Sequence, residues 1–367
     1  VKQAVSIVIG GIITLACLYF ALRGIEWSHI QTELEAANYW LLIPMLLGTL
    51  VFFWLKALRW RWLLSSIKNI PTSEIFPVIM IGFMGNNVLP MHLGELMRIV
   101  VLARQQKIPD LAILTTVVLE RVFDMMMILL LFSLGLLFCK IDFPMFKQAA
   151  TGMAALAISG VVVLGSYIIW TDHVLGFMKR VMSWMFFLPV SFRQKIIQLF
   201  ETAAHGLHVL KNPRLTLAIT INSLVQWLLA VWFIQLALDM MHLYHPFTSS
   251  MVVMGSTAIG AAIPSLPGYF GTIQACFRAA LEPMGVSESK AFAASLLYQL
   301  PQYVLVTAMG LWYLQRTGIK WGEFFSYQKQ HEHDLAHTAA DSIMMEQIAH
   351  VKPPVEQQEE TPPPKTS

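Results

Sequence analysis

The stretch Ile75–Arg104, IFPVIMIGFMGNNVLPMHLGELMRIVVLAR, decides how this chain is read. It is long and apolar, yet its middle carries Asn86, Asn87 and Pro90, followed by Gly94 and two charges, Glu95 and Arg98. Proline removes a backbone donor and glycine weakens a helix, so the stretch predicts two half-helices joined by a turn. At membrane depth such a break is tolerated only where it faces protein or a watery cavity. Pro246–Leu281 has the same character, interrupted by Pro264, Pro267, Gly268 and Gly271. Both read as broken or re-entrant segments, near 75–104 and 246–281.

The rest of the chain supplies the solvent for that reading. It is 56% apolar and 13% charged over 367 residues, with a mean hydropathy of +0.60. Soluble domains carry about a quarter charged residues, so this chain cannot cover a globular surface with polar groups. Long uncharged runs occupy Gln3–Leu22, Tyr39–Leu55, Ala149–Thr171, Leu215–Leu238 and Ala291–Gln315, and Leu111–Cys139 is apolar except for Glu120, Arg121 and Asp124. A span needs about 20 apolar residues, and backbone in hydrocarbon must bond within its own segment. The fold class is therefore an all-α polytopic membrane protein, with about six full transmembrane helices and two broken segments. Gln3–Leu22 is longer than a signal-peptide core and reads as a retained first helix. Cys17, Cys139 and Cys276 lie far apart in apolar surroundings and suggest neither disulfide nor metal. A net charge of +3 gives no case for nucleic acid, and no nucleotide fingerprint or other cofactor motif is present.

Lys and Arg near span ends set the orientation. Lys56, Arg59, Arg61 and Lys68, the basic residues of 172–214, and Arg316 with Lys320 read as cytoplasmic; the loop 23–38, with Glu26, Glu33 and Glu35, reads as outer. Both termini are then cytoplasmic. Residues 191–210 carry an apolar stripe at helical spacing and read as an interfacial helix or a helix on the bundle floor. The transmembrane domain is expected over 1–321 and a polar, largely disordered tail over 322–367. His331, His333 and His337 in that tail read as solvated, not as metal ligands. The two broken segments also superpose in sequence: 267 − 90 and 271 − 94 both equal 177. Because they start from opposite faces, they predict an inverted repeat, a transporter design with its site near the midplane.

Ionised groups inside apolar segments cost roughly 3 kcal/mol or more each, so they must be paired, hydrated or bound to something charged. Here they are Glu95, Arg98, Glu120, Arg121 and Asp124. Glu95 and Arg98 are helical neighbours, as are Glu120 and Asp124, and a network across helices is expected. Either these charges neutralise one another and pin the broken helix, or Arg98 and Arg121 keep donors for a lipid phosphate, aided by the half-helix starting near Pro90. Asn87 is expected to satisfy backbone freed by the proline. Asn86 could do the same or reach a headgroup, and His92, grouped with the substrate-binding candidates, reads either as a hydrogen-bonded histidine or as a proton relay.

The segments Lys56-Ala-Leu-Arg-Trp-Arg-Trp-Leu-Leu64, Asn86-Asn-Val-Leu-Pro-Met-His-Leu-Gly-Glu95 with Arg98, Glu120-Arg-Val-Phe-Asp124 and Leu266-Pro-Gly-Tyr-Phe-Gly271 resemble the lysylphosphatidylglycerol synthase transmembrane-region family, also described as flippase-like. Its best known member type is the bacterial multiple peptide resistance factor. The resemblance covers about residues 1–320. It implies a multi-pass protein of the bacterial inner membrane that handles a lipid or moves it between leaflets. This sequence has no counterpart of the resistance factor's soluble lysyl-transfer domain, so that activity is not carried over. Relatives often have an Arg after a Tyr in the last span, where this chain has Tyr298-Gln299.

The expected function is lipid translocation, with an anionic phospholipid or lipid-linked headgroup held in an intramembrane polar groove and no cofactor. One alternative is a non-transporting partner that presents lipids to a glycosyltransferase. Another is a membrane-embedded lipid transferase using Glu120 or Asp124 as base.

Overall fold

The structure is a computed structural model that describes residues 27–89, 93–139, 212–262 and 267–317, together with 17, 19–22, 152, 155, 159 and 180. Most of the first expected span, the span at 149–171, the segment 191–210, the tail, and Pro90, His92 and Pro264 lie outside the described residues. The chain divides into two compact units, 1–177 with 199–319 and 178–198 with 320–367; every element below belongs to the first.

Among the described residues the secondary structure is helical, without strands: α1 (Trp27–Glu35), α2 (Leu42–Leu64), α3 (Thr72–Val88), α4 (Leu93–Gln106), α5 (Asp110–Phe138), α6 (Pro213–Met240), α7 (Phe247–Ala262), α8 (Thr272–Leu281) and α9 (Glu288–Thr317). At 1.5 Å per residue, α2, α5, α6 and α9 are about 35–45 Å long, enough for a hydrocarbon layer of about 30 Å. Of these, α2, α5 and α6 are also apolar enough to cross a membrane. By contrast α3, α4, α7 and α8, with 17, 14, 16 and 10 residues, are each shorter than that layer. The molecule is inside-out relative to a soluble protein. Leu47, Val51, Val118, Met125, Leu217 and Val304 are exposed, whereas Lys56, Arg59, Arg98, Glu120 and Asp124 are buried. Lipid is the solvent that tolerates that arrangement.

The α3–α4 pair is re-entrant. Lys68 Nζ, just before α3, donates to the Gln106 carbonyl at 3.0 Å, and Gln106 Nε2 donates to Glu74 Oε2 at 2.7 Å. Entry and exit therefore meet on the face where α2 ends. In the second pair, α7 ends at Ala262 and α8 begins at Thr272 after a 3-10 turn, Pro267–Tyr269. Gly268 (φ +76°) and Gly271 (φ +83°) supply the left-handed backbone that this reversal needs. Gly94 does not break its segment. It sits in the first turn of α4, where an added Cβ would press into the Gly82 carbonyl and the Asn86 backbone, so it serves the close approach of α3 and α4.

The repeat extends beyond the broken segments. Adding 177 to the starts of α2–α5 (42, 72, 93, 110) gives 219, 249, 270 and 287, against observed starts of 213, 247, 272 and 288 for α6–α9. The packing follows the same exchange: α2 meets α6, α3 packs on α9 as α7 packs on α5, and α2 touches α9 as α6 touches α5. Gly135 receives α7 at Met251 as Gly310 receives α3 at Met84, consistent with small residues letting membrane helices approach. Gly48 meets Phe233, Arg59 bonds Ser223 and Asn38 bonds the Met240 carbonyl, so α2 and α6 run antiparallel. Two elements related by a two-fold are antiparallel only if the axis is perpendicular to them, so for membrane-spanning helices this pairing is the arrangement of an inverted repeat, with its axis in the membrane plane.

Two boundaries differ from the sequence reading. The second span does not stop at Leu55 but continues to Leu64, so Lys56, Arg59 and Arg61 lie in the helix and not in a cytoplasmic loop. Hydropathy places an end at the first charge, but helix backbone continues wherever those charges find partners. The loop expected over 23–38 contains α1, whose Ile30 and Leu34 lie on one face and seat Ile30 in a small core with Phe292.

The inverted arrangement predicts a labelling pattern. In a chain lacking its native cysteines, a membrane-impermeant maleimide should reach Ser66→Cys and Gln105→Cys from one face, and Tyr244→Cys and Glu282→Cys from the other. Labelling of all four from a single face would rule out inverted halves.

Candidate functional site

The charged residues of α2, α4 and α5 meet in one cluster. Glu120 and Asp124, one turn apart on α5, face Lys56 and Arg59, three apart on α2. Arg59 pairs with Asp124 at 2.8 Å and with Glu120 at 3.1 Å, and Arg98 of α4 holds the other Glu120 oxygen at 2.9 Å. Lys56 lies 3.5 Å from Glu120 and 3.6 Å from Asp124. Helix α6 completes the ring: Arg59 donates to Ser223 Oγ at 2.9 Å, and Trp227 Nε1 donates to Asp124 Oδ1 at 3.0 Å. The cations also use aromatic faces, Arg98 over Trp60 at 5.0 Å and Lys56 over Phe52 and Phe83 at 5.4 and 5.5 Å. Trp60 is itself held by Thr116 through its indole N–H at 2.9 Å.

A second, more open pair flanks this cluster. Arg121 bonds Glu95 of α4 at 3.1 Å and approaches Asp124 at 3.7 Å. Its side chain is 39% exposed and that of Glu95 33%, whereas the five inner groups are enclosed. Tyr269, in the turn of the second hairpin, lies within electrostatic reach of both. The accessible charges thus stand where the two hairpins and α5 converge.

The charge balance is uneven. Lys56, Arg59, Arg98 and Arg121 bring +4, and Glu95, Glu120 and Asp124 bring −3, leaving +1. Nε and Nη2 of Arg98 and Nε of Arg121 are buried without a hydrogen-bond acceptor. Each guanidinium offers five donors in a fixed fork, and a planar oxyanion is its natural complement.

Of the residues singled out from sequence, Arg98, Glu120 and Asp124 share the buried cluster, and Arg121 and Glu95 form the open pair. Glu95 bonds across to α5 and not to its helical neighbour Arg98. Asn87 turns its amide away from the described backbone of its own hairpin: its Nδ2 donates to Thr307 Oγ1 of α9 at 3.0 Å and lies 3.5 Å from the Tyr303 carbonyl. Asn86 stays by the hairpin, its Oδ1 buried without a donor. Lys56, Arg59, Ser223 and Trp227 escaped the sequence reading, which took the first two for loop markers. The usable signal was their i, i+3 spacing on a continuing helix.

The second half has a neutral counterpart. Gln274 Nε2 donates to Gln299 Oε1 at 2.6 Å, Gln299 Nε2 donates to the Gly268 carbonyl at 2.5 Å, and Gln274 Oε1 accepts the Gly271 N–H at 2.7 Å. Gln299 thus ties the hairpin turn to α9. Among the described residues no group of His, Cys, Asp and Glu gathers as a metal site.

An inverted-repeat helical membrane protein with re-entrant hairpins and a buried ion cluster is the class that these features define. The profile of the family described as lysylphosphatidylglycerol synthase TM region matches residues 6–310, and the chain belongs to that family. It is similar to a UPF0104 membrane protein of Methanothermobacter thermautotrophicus, 23% identical over 84% of this chain and 94% of the relative. A UPF0104 membrane protein of Methanocaldococcus jannaschii is also 23% identical, over 84% and 93%. No solved structure gives a significant match.

Removing one partner from a buried ion pair costs about 3–5 kcal/mol, whereas a partly exposed pair contributes at most about 1 kcal/mol. Glu120→Gln should therefore lower the thermal unfolding midpoint in detergent far more than Glu95→Gln. Equal shifts would contradict the division between an enclosed cluster and an open pair.

Proposed function

We propose that this protein is a lipid-handling translocator of the bacterial inner membrane, with both termini cytoplasmic. It binds the phosphate of a phospholipid or lipid-linked headgroup between its two hairpins. The carrying observation is the cationic excess at their junction: Arg121 is accessible, and Arg98 beside it has two guanidinium nitrogens without acceptors. A phosphate arriving from the membrane would neutralise the +1 interior, while its acyl chains stay in lipid. The start of α4 adds backbone N–H groups that favour an anion on the same side. Inverted halves that meet at such a site allow it to open to either leaflet in turn.

The transferase alternative, which uses Glu120 or Asp124 as base, is weaker, because both are enclosed and engaged by cations. The presenting-partner alternative uses the same headgroup site and differs only in lacking transport.

Purified protein in proteoliposomes should move fluorescently labelled phosphatidylglycerol between leaflets. Loss of one charge-assisted contact of about 1.5–3 kcal/mol corresponds to roughly 10–100-fold, so Arg98→Ala with Arg121→Ala should slow movement at least 10-fold. Undiminished movement by the double variant would remove the phosphate site. Headgroup binding without any movement would favour the presenting partner.

A further inference from the structure

Next to the open pair lies a cavity of about 150 Å3 between the tips of the two hairpins and α9. Its walls include the rings of Phe53, Phe83 and Tyr303, with Tyr298, Asn87 and Gln302 as polar members. No Lys, Arg, Asp or Glu is among its lining residues. Tyr269 belongs both to this lining and to the surroundings of Arg121 and Glu95, so the cavity and the proposed phosphate position adjoin.

The polar groups are only partly used. Asn87 and Gln302 bond through their NH2 groups, to Thr307 and the Tyr303 carbonyl and to the Tyr298 carbonyl respectively, which leaves both amide oxygens as acceptors. The Tyr298 hydroxyl has no hydrogen-bond partner among the described residues, and it is not among the enclosed unsatisfied atoms, so it remains open to an occupant. Spare acceptors, a hydroxyl and aromatic faces call for a guest that brings O–H donors and weakly positive C–H edges. An ammonium group would also suit aromatic faces, but no carboxylate lines the cavity to balance it. Lys56 already places its charge over Phe83 at 5.5 Å, which repels a second cation. At about 30 Å3 per water in the liquid, the volume of about 150 Å3 corresponds to roughly five waters, on the order of the volume of one sugar or cyclitol ring.

We infer that the cavity between the hairpin tips is a headgroup subsite for a single neutral, polyhydroxylated ring esterified to the phosphate at Arg121. The inference rests on the phosphate reading above and adds the headgroup class to it. Orientation follows directly. The ring hydroxyls donate to Asn87 Oδ1 and Gln302 Oε1, a ring face lies on Tyr303, and the lipid tail leaves past Arg121.

Titration of the full-length protein in detergent with acyl-matched phosphatidylinositol, phosphatidylethanolamine and phosphatidic acid, read by native mass spectrometry, tests this. A site built for hydroxyls discriminates strongly against ligands lacking them, so phosphatidylinositol should bind at least ~10-fold tighter than either other lipid. Gln302→Leu and, independently, Tyr298→Phe should each reduce that preference and leave phosphatidic acid binding unchanged. Equal or tighter binding of phosphatidylethanolamine, or a preference that survives both substitutions, overturns the assignment. So does free inositol that competes as well as the lipid. If Arg121→Gln weakens all three lipids alike while none is preferred, the phosphate site stands and only the cavity assignment falls. If Arg121→Gln changes none of them, the phosphate reading falls with it.

Discussion

Two carboxylates held by three cations in the middle of an apolar bundle are the constraint around which the rest of this molecule is arranged. Glu120 and Asp124 project from a single helix, but their partners come from α2 and α4, and the supporting hydroxyl and indole come from α6. Each ion alone would be intolerable at that depth, so the four helices can be placed in only a narrow range of positions relative to one another. The same requirement explains why α2 runs on past its last apolar stretch. Its end is set by where Lys56 and Arg59 meet their counter-ions, with the backbone remaining helical to get there.

A symmetric scaffold carries asymmetric chemistry. The shift of 177 takes Arg98 to 275 and Glu120 to 297, and near those positions the second half joins α8 to α9 through Gln274 and Gln299. The first hairpin is tied to its following span by ion pairs inside a larger buried network, and the second by neutral amides and a backbone carbonyl together with one ion pair at its far end, Arg278 with Glu288. A neutral hydrogen bond contributes about 0.5–1.5 kcal/mol, whereas breaking a buried ion pair costs several times that. The half with amide ties also has the left-handed glycines in its turn.

Much of the architecture was legible in the residues. The scarcity of charge named the solvent, the lengths of apolar runs located α2, α5, α6 and α9, and Pro267 with Gly268 and Gly271 marked a turn that the backbone makes where expected. The recurring offset between the two broken segments proved to extend over four helices. The candidate site was legible in part. Glu95, Arg98, Glu120, Arg121 and Asp124 stood out because charge in an apolar run has no local explanation. Lys56 and Arg59 did not, because a basic residue after an apolar run also has an ordinary meaning as a loop marker. Nothing local in Gln299 or Ser223 separates them from any other polar residue in a span.

Sequence alone determined that this chain dissolves in lipid, that it is helical, where two of its segments break, and which charges demand partners. Those are properties of the transfer of side chains and backbone between water and oil, and they are summed along the chain. Tertiary structure decided which charges satisfy one another, which arginine atoms are left over, and that Gly94 serves a close approach and not a break. These depend on distances between residues far apart in sequence, set only when α2 and α6 cross antiparallel and bring the two halves into register.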